Sequence, residues 1–386
     1  MATAWSHKWL VHQSGGSFQL VLTSEVPIIR WSGANERFPH ALALLNRLGW
    51  RERTGSDEPH GFTLGASLPR WALAPGESIG QGHIIALFEQ VFGQAMPETL
   101  WAWKYAEGRG RAMTASRDGE LVAHYGGVTR RILFKGEPAL GLQVCDVMVA
   151  PGERAVMTRR GVFLQTAAAF LELYCGVEQQ HRVAYGFPNA RHMRLAERLG
   201  LYGEVDTLVE QRWGAAERFH SWQYQGCELS GGDLSPPDFH SVWQAMAKDF
   251  TEHLLVVRDA DYLRYRYVDH PVHRYVLLGL RHRWTGRLQG VVVMRPEADQ
   301  CRLMDLIGPV RLFPRLIDLA RSRVPRGGAT ALTGWFTRSQ ITRLASAGGV
   351  TQPVDIAIPA NTWSVGPPLS ALQDRWWLTM GDTDFL

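Results

Sequence analysis

The clearest alternation of apolar and polar positions lies in the middle of the chain. Over residues 84–92, Ile85, Phe88, Val91 and Phe92 recur at helical spacing, and Pro97 closes the segment. Residues 99–105 are a short Trp-rich stretch. Residues 112–116 and 121–128 flank Arg117-Asp118-Gly119-Glu120, whose Asp-Gly pair is a hairpin turn signal. An apolar run over 140–149 stops at Pro151 and predicts a central strand. A helix is predicted over 162–174, a strand over 183–187, and a helix over 191–199 that ends at Gly200. Hairpin, central strand, helix, strand and helix make a mixed α/β unit.

The same order returns further along. Leu100-Trp101-Ala102-Trp103-Lys104-Tyr105 has a counterpart in Leu263-Arg264-Tyr265-Arg266-Tyr267, and a second hairpin turns near Thr285-Gly286. Asp146-Val147-Met148-Val149 is matched by Asp305-Leu306-Ile307-Gly308. Arg194-Leu195-Ala196 and Gly200 are matched by Arg343-Leu344-Ala345 and Gly348 or Gly349. The offset shrinks by about ten residues between the second match and the third, so the second copy is shorter between its central strand and last helix. Gly231-Gly232 and Pro236-Pro237 mark the join. Residues 18–31 alternate like a hairpin and 41–48 form a helix ended by Gly49. This start is either an extension or a truncated further repeat. The expected division is 1–79, an N-terminal extension, 80–215, the first repeat, and 216–386, a degenerate second one.

Composition fits an ordinary globular protein, with 45% hydrophobic and 20% charged residues among 386. A formal charge of +4 argues against a dedicated nucleic-acid binder. The four cysteines, Cys145, Cys175, Cys227 and Cys301, are far apart and fit neither a zinc site nor a disulfide framework. No metal is expected. The start of the chain lacks the apolar core of a signal peptide, and residues 161–177 are too short and polar to insert into a bilayer. A cytoplasmic protein is expected.

The strongest chemical signal is Asp146-Val147-Met148-Val149-Ala150-Pro151, then Arg154, then Arg159-Arg160-Gly161-Val162-Phe163 ahead of the apolar helix. Strand, loop and helix start place unpaired N–H groups and the positive end of the dipole where an anion can sit. Gly161 admits close backbone approach, and the arginines add charge-assisted hydrogen bonds. This arrangement resembles the GNAT acyltransferase superfamily, whose central strand runs into a loop of pattern Q/R-x-x-G-x-G/A. The matching stretch is Thr158-Arg159-Arg160-Gly161-Val162-Phe163, with Thr158 and Phe163 departing from the pattern. The resemblance continues through Tyr185-Gly186-Phe187-Pro188-Asn189 and the helix before Leu199-Gly200-Leu201. It covers residues 84–213 and extends weakly from 263 onwards.

The resemblance implies two tandem GNAT-like α/β domains, the second without a cofactor loop, and acetyl-CoA or another acyl-CoA as co-substrate. The pyrophosphate would be held by Arg154, Arg159, Arg160, Gly161, Val162 and Phe163. The pantetheine arm would lie along Val147, Met148 and Val149, with Asn189 nearby. The implied reaction is direct attack of a primary amine, belonging to a small molecule or amino sugar, on the thioester. Asp146 is the first candidate for the base and His124 the second; Tyr202 and Tyr185 compete to protonate the leaving thiolate. Trp101, Trp103 and Tyr105 could line an acceptor pocket or form a packed face. Tandem arrangements also resemble peptidoglycan-type transferases that use aminoacyl-tRNA, and a non-catalytic acyl-CoA binder is a further reading.

Overall fold

The computed structural model describes residues 5–11, 17–22, 27–32, 38–52, 61–64, 70–154, 161–177, 179–234, 236–324 and 328–383. The N-terminal part is a small antiparallel sheet of β1 (Trp5–Val11), β2 (Ser17–Leu22), β3 (Pro27–Ser32), β4 (Trp50–Glu52) and β5 (Gly61–Leu64), in the order β1-β2-β3-β5-β4. The predicted hairpin is the β2–β3 pair, and the predicted helix is α1 (Phe38–Arg47). Ala41, Leu42 and Leu45 of α1 pack on Trp31 and Phe62. Arg47 pairs with Glu172, and Nε2 of His40 lies 2.6 Å from the carbonyl of Trp363, so α1 is docked on the main body.

The main body begins with β6 (Ala72–Pro75), α2 (Gln81–Phe92) and α3 (Glu98–Tyr105). Then come β7 (Gly110–Arg117), β8 (Glu120–Phe134), β9 (Glu137–Val149), α4 (Val162–Tyr174), β10 (Val183–Tyr185), α5 (Ala190–Arg198) and β11 (Tyr202–Gly214). The order repeats as β12 (Tyr224–Leu229), α6 (Pro236–Asp249), β13 (Leu254–Val256) and α7 (Ala260–Leu263) with a π turn, Arg264–Val268. The second repeat continues through β14 (Val276–His282), β15 (Leu288–Pro296), β16 (Gln300–Ile307), α8 (Phe313–Arg321) and β17 (Ala331–Thr337). A 3-10 segment, Arg338–Ala347, replaces the last helix and leads to β18 (Val350–Asn361), α9 (Leu369–Leu372) and β19 (Trp376–Trp377).

These strands form one 14-stranded mixed sheet. Its central order is β16-β17-β11-β18-β10-β9. The last strand of the first repeat, β11, lies beside the second repeat's β17, while the second repeat's β18 lies beside β10. The two exchanged strands pair with each other from Tyr202↔Asn361 to Arg212↔Val350. Exchange removes an open edge from each repeat, the part of a sheet most prone to unwanted pairing. It also ties residues 80–215 and 216–386 into one sheet.

Sequence similarity between the repeats has a structural counterpart where they meet. The rings of Trp103 and Tyr265 stack 4.7 Å apart at 9°. Trp103 Nε1 donates to the Tyr265 carbonyl at 3.0 Å, and the Tyr265 hydroxyl donates to the Trp103 carbonyl at 3.0 Å. Each repeat also buries one Tyr–Asp bond: Tyr105 to Asp146 at 2.8 Å and Tyr267 to Asp305 at 3.0 Å.

The last described segment packs into the second repeat. β19 runs parallel to β13, which is itself paired with β8. Beyond it, Leu378 exchanges hydrogen bonds with Thr337, and Thr379 bridges Phe336. Arg258, fully buried, is held by Asp305 at 2.8 Å and Asp382 at 2.5 Å. Removing one partner of a buried ion pair leaves charge without compensation. Asp382→Ala is expected to cost about 3–5 kcal/mol in denaturant unfolding, with the midpoint falling and the slope unchanged.

Candidate active site

β9 and β10 start parallel, with Val183, Ala184 and Tyr185 opposite Gly141, Leu142 and Gln143. Beyond Gln143 the ladder stops, although β9 runs on to Val149. The strands part there, and β9 turns a row of backbone groups toward the opening. Gly186 stands at the point of parting, where a Cβ would lie 3.3 Å from the carbonyl of Val144. On its other side β9 carries a bulge, since the register with β8 slips between His124↔Met148 and Gly126↔Cys145. A bulge re-aims backbone groups locally. Asp146 sits in this bulge with a φ of +50°, a left-handed conformation unusual for a residue with a side chain.

The Asp146 side chain explains how that conformation is held. Its carboxylate receives Lys104 Nζ at 2.8 Å and the Tyr105 hydroxyl at 2.8 Å, and both ion-pair partners are 5% exposed. Burial alone would push this carboxyl up, but the ammonium and the two donors outweigh it and hold it below the ordinary carboxylate range. The Asp146 carbonyl lies 2.7 Å from Nδ1 of His124 and fixes the imidazole proton there. Burial lowers the proton affinity of His124, so the ring is neutral, and its Nε2 has no partner among the described residues.

Past the end of β9 the chain enters a 3-10 turn, Pro151–Glu153, anchored by its acid. Arg70, Trp71 and Arg117 all donate to Glu153, at 3.0, 3.1 and 2.7 Å. Arg154 folds back so that Nε donates to the Val149 carbonyl at 2.9 Å. Residues 155–160, including Arg159 and Arg160, lie outside the described residues. Gly161 is the N-cap of α4, and among the described residues no side chain caps the first-turn N–H groups, the kind of place where an anion can sit.

The second repeat parts its strands in the same way. β16 and β17 are paired from Gln300↔Ala331 to Leu303↔Gly334 and then separate. Residues 378–382 fill this opening. A Cβ on Gly381 would lie 2.8 Å from the Met304 carbonyl, so the segment sits directly on β16. The helix start that follows is also occupied, because Val310 N donates to Asp249 at 2.7 Å. The 12-residue stretch between β9 and α4 shrinks to five residues between β16 and α8.

Several candidates fall elsewhere than expected. Asp146 is ion-paired and of lowered proton affinity, whereas a general base working near neutral pH needs a raised one. Its counterpart Asp305 makes the same tyrosine bond in the filled repeat, which points to a positioning role. Tyr202 is buried with its hydroxyl 2.9 Å from that of Tyr125, and burial raises both phenols. Tyr185 is fully buried over Gly141, and burial raises it too. Asn189 is the N-cap of α5, accepting from His192 N at 3.0 Å. Val162 and Phe163 turn their side chains into the core, so only their backbone faces the opening. Met148 packs with Trp101, and Val147 and Val149 lie against apolar clusters.

The aromatic trio divides. Trp101 and Tyr105 stack 3.9 Å apart and line a cavity of about 210 Å³ with Glu77, Gln81 and Ile84. Trp103 belongs to the junction between repeats. The sequence reading missed Lys104, the partner of Asp146, although it stands beside the matched Tyr105. It also missed Arg258, which has no equivalent in the first repeat to mark it.

Comparison with known proteins places this geometry. Residues 82–205 match the family model for an acetyltransferase (GNAT) domain. A search of curated proteins finds no sequence that matches. Among solved structures, a probable N-acyltransferase from Enterococcus faecalis aligns with a TM-score of 0.57 and 11% identity, over 76% of this chain and 72% of that one. A GCN5-related N-acetyltransferase from Anabaena variabilis gives 0.57 and 12%, over 76% and 73%. N-myristoyltransferase from Saccharomyces cerevisiae, with bound myristoyl-CoA, gives 0.50 and 8%, over 86% and 89%. At these identities the likeness is one of fold. It extends beyond the first repeat and agrees with tandem GNAT-like units on a mixed α/β sheet. No described helix is long and apolar enough to cross a membrane.

His270, at the junction, is expected to make stability depend on pH. Its Nδ1 accepts from Val272 N at 3.2 Å and His273 N at 3.0 Å, and its ring lies 4.6 Å from that of Trp103. Burial first and Arg266 second push its pKa down to about 3. The unfolded chain therefore takes up this proton at about pH 6.5, well before the folded one does, and stability falls as pH drops below that value. Thermal melts from pH 8 to 5 should show a falling Tm. His270→Gln, which keeps an acceptor but not the titration, should flatten part of the slope.

Proposed function

We propose that the protein is an acyl-CoA-dependent N-acyltransferase, using acetyl-CoA as the simplest donor and a primary amine of a small molecule or amino sugar as acceptor. The observation that carries this reading is the open parting of β9 and β10, leading to an uncapped α4, in a repeat whose twin is filled. The residues fit such a donor: a free strand edge for the amides of pantetheine, a glycine at the point of parting, and free N–H groups for pyrophosphate. The six residues from Val144 to Val149 span roughly 17–20 Å at about 3.3 Å per residue. An arm anchored at α4 would reach along this edge toward Cys145 and Gln143. Bound there, acyl-CoA supplies an activated acyl group.

The chain's own residues would contribute position and charge. Lys104 and Tyr105 clamp Asp146 and so hold the bulge, whose backbone N–H groups are the candidates to stabilise the oxyanion. His124 is the better candidate for the base. It is neutral, Nδ1 is committed to the Asp146 carbonyl, and Nε2 is free to accept a proton, through water or a small movement of Trp101. The buried tyrosines are poor donors to the leaving thiolate, which solvent or the released proton can protonate instead.

Calorimetric titration with acetyl-CoA tests the cofactor assignment. Gly161→Glu puts a bulky carboxylate where pyrophosphate would sit, and is expected to abolish measurable binding in a folded protein. Unchanged affinity contradicts the assignment. Transfer assays over a panel of amines separate the two base candidates. His124→Ala should reduce turnover about 10²–10⁴-fold while donor affinity persists. Asp146→Asn should lower Tm, because it strands buried Lys104, and leave the acidic limb of the pH–rate profile in place.

A further inference from the structure

We infer that the acceptor carries an anionic group, a carboxylate or a phosphate, beside its amine, and that Arg130 is the residue that binds it. This inference rests on the acyltransferase reading for its place in the reaction, but its structural basis is independent.

Arg130 lies on β8 opposite Gly141 and is 9% exposed. A buried cation is ordinarily paired with an acid. Arg130 has none: among the described residues, its side chain makes one hydrogen bond, from Nε to the Gln143 side-chain oxygen at 2.8 Å. The acids nearby are committed elsewhere, Asp146 to Lys104, Asp305 and Asp382 to Arg258, and Asp259 to Arg131. Arg266, its cationic neighbour, is satisfied by the carbonyls of Gly381 and Thr383 and the hydroxyl of Tyr275.

Two further donors surround the same place. The Tyr185 ring covers Gly141, with Cε1 3.5 Å from where a Cβ would stand. Tyr262 sits on α7, which is carried alongside β8 by the bond from Val257 N to the Arg131 carbonyl at 2.9 Å. Tyr185 and Tyr262 are electrostatic neighbours of Arg130, and both hydroxyls are buried without a partner among the described residues. A guanidinium with two uncommitted terminal nitrogens, flanked by two phenols, has the donor set for a carboxylate or phosphate.

The location matches the reaction. Gln143, which holds Arg130, is the last β9 residue paired with β10, so Arg130 is tied to the closed end of the opening, toward which the proposed arm would reach. Gln143 also donates to the Asp382 carbonyl at 2.6 Å, which ties the position of Arg130 to the segment filling the second repeat. An amine whose own anion is gripped there is oriented toward the acyl carbon.

The test uses the full-length protein and two probes of equal shape, N-acetylglycine and its neutral amide, titrated calorimetrically with and without saturating CoA. The carboxylate should bind about tenfold to a hundredfold more tightly than the amide, the range of one charge-assisted contact. Arg130→Met should erase the difference while Tm holds or rises, because a buried unpaired charge has been removed. Inorganic phosphate competes if the site takes phosphate; failure to compete restricts it to carboxylates. Equal binding of the two probes, no binding of either, or discrimination that survives in Arg130→Met would overturn the inference. CoA binding is read in a separate titration, so failure of the acyltransferase reading shows there and leaves the Arg130 comparison decisive.

Discussion

Backbone N–H and C=O groups must find partners, and a strand that parts from its neighbour leaves a row of them open. This constraint acts twice in the protein, at β9–β10 and at β16–β17. In the second repeat the chain answers it internally: residues 378–382 enter the opening, Thr379 bridges β17, and Asp249 takes the amide ahead of α8. In the first repeat no described segment fills the β9 edge, where Arg154 takes only the Val149 carbonyl, and no described side chain caps α4. One fold, met twice, is closed by its own chain in one copy and left able to accept an extended amide-bearing ligand in the other.

The pairing of the repeats follows from the same economy of edges. Exchange of β11 and β18 converts two half-sheets into one and places α3 beside the π turn that is its counterpart. There Trp103 and Tyr265 stack and trade hydrogen bonds symmetrically. A residue pair conserved in geometry between the open and filled repeats, Tyr105–Asp146 and Tyr267–Asp305, belongs to the architecture of the strand rather than to chemistry that one copy alone could perform. Asp146, held by Lys104 and Tyr105 within the bulge, is thereby better suited to positioning than to the work of a base.

Much of the fold was legible in the sequence because periodicity reports burial directly. The helix from Val162 to Tyr174, the hairpin about Asp118-Gly119 and the order of both repeats all come from local signals. The strand exchange was not legible, since β11 and β18 read the same whichever neighbour they take. The ion pairs Lys104–Asp146 and Arg258–Asp382 were likewise hidden: nothing local tells a buried lysine or arginine from a solvated one. Trp103 illustrates the same limit, as its alternation with Trp101 and Tyr105 suggested one face, while helical α3 sends Trp103 to the other repeat. The filling of the second opening depends on residues far from it in the chain, and no spacing near β16 announces it.

A single acyl-CoA site, in the first repeat, follows from the proposed function. A structure solved with bound CoA, combined with binding stoichiometry in solution, tests it most directly. One CoA per chain is expected, its arm against Val144 to Val149 and its pyrophosphate at Gly161, with residues 378–382 unmoved. CoA lying along β16 in place of that segment, or two molecules per chain, would contradict it.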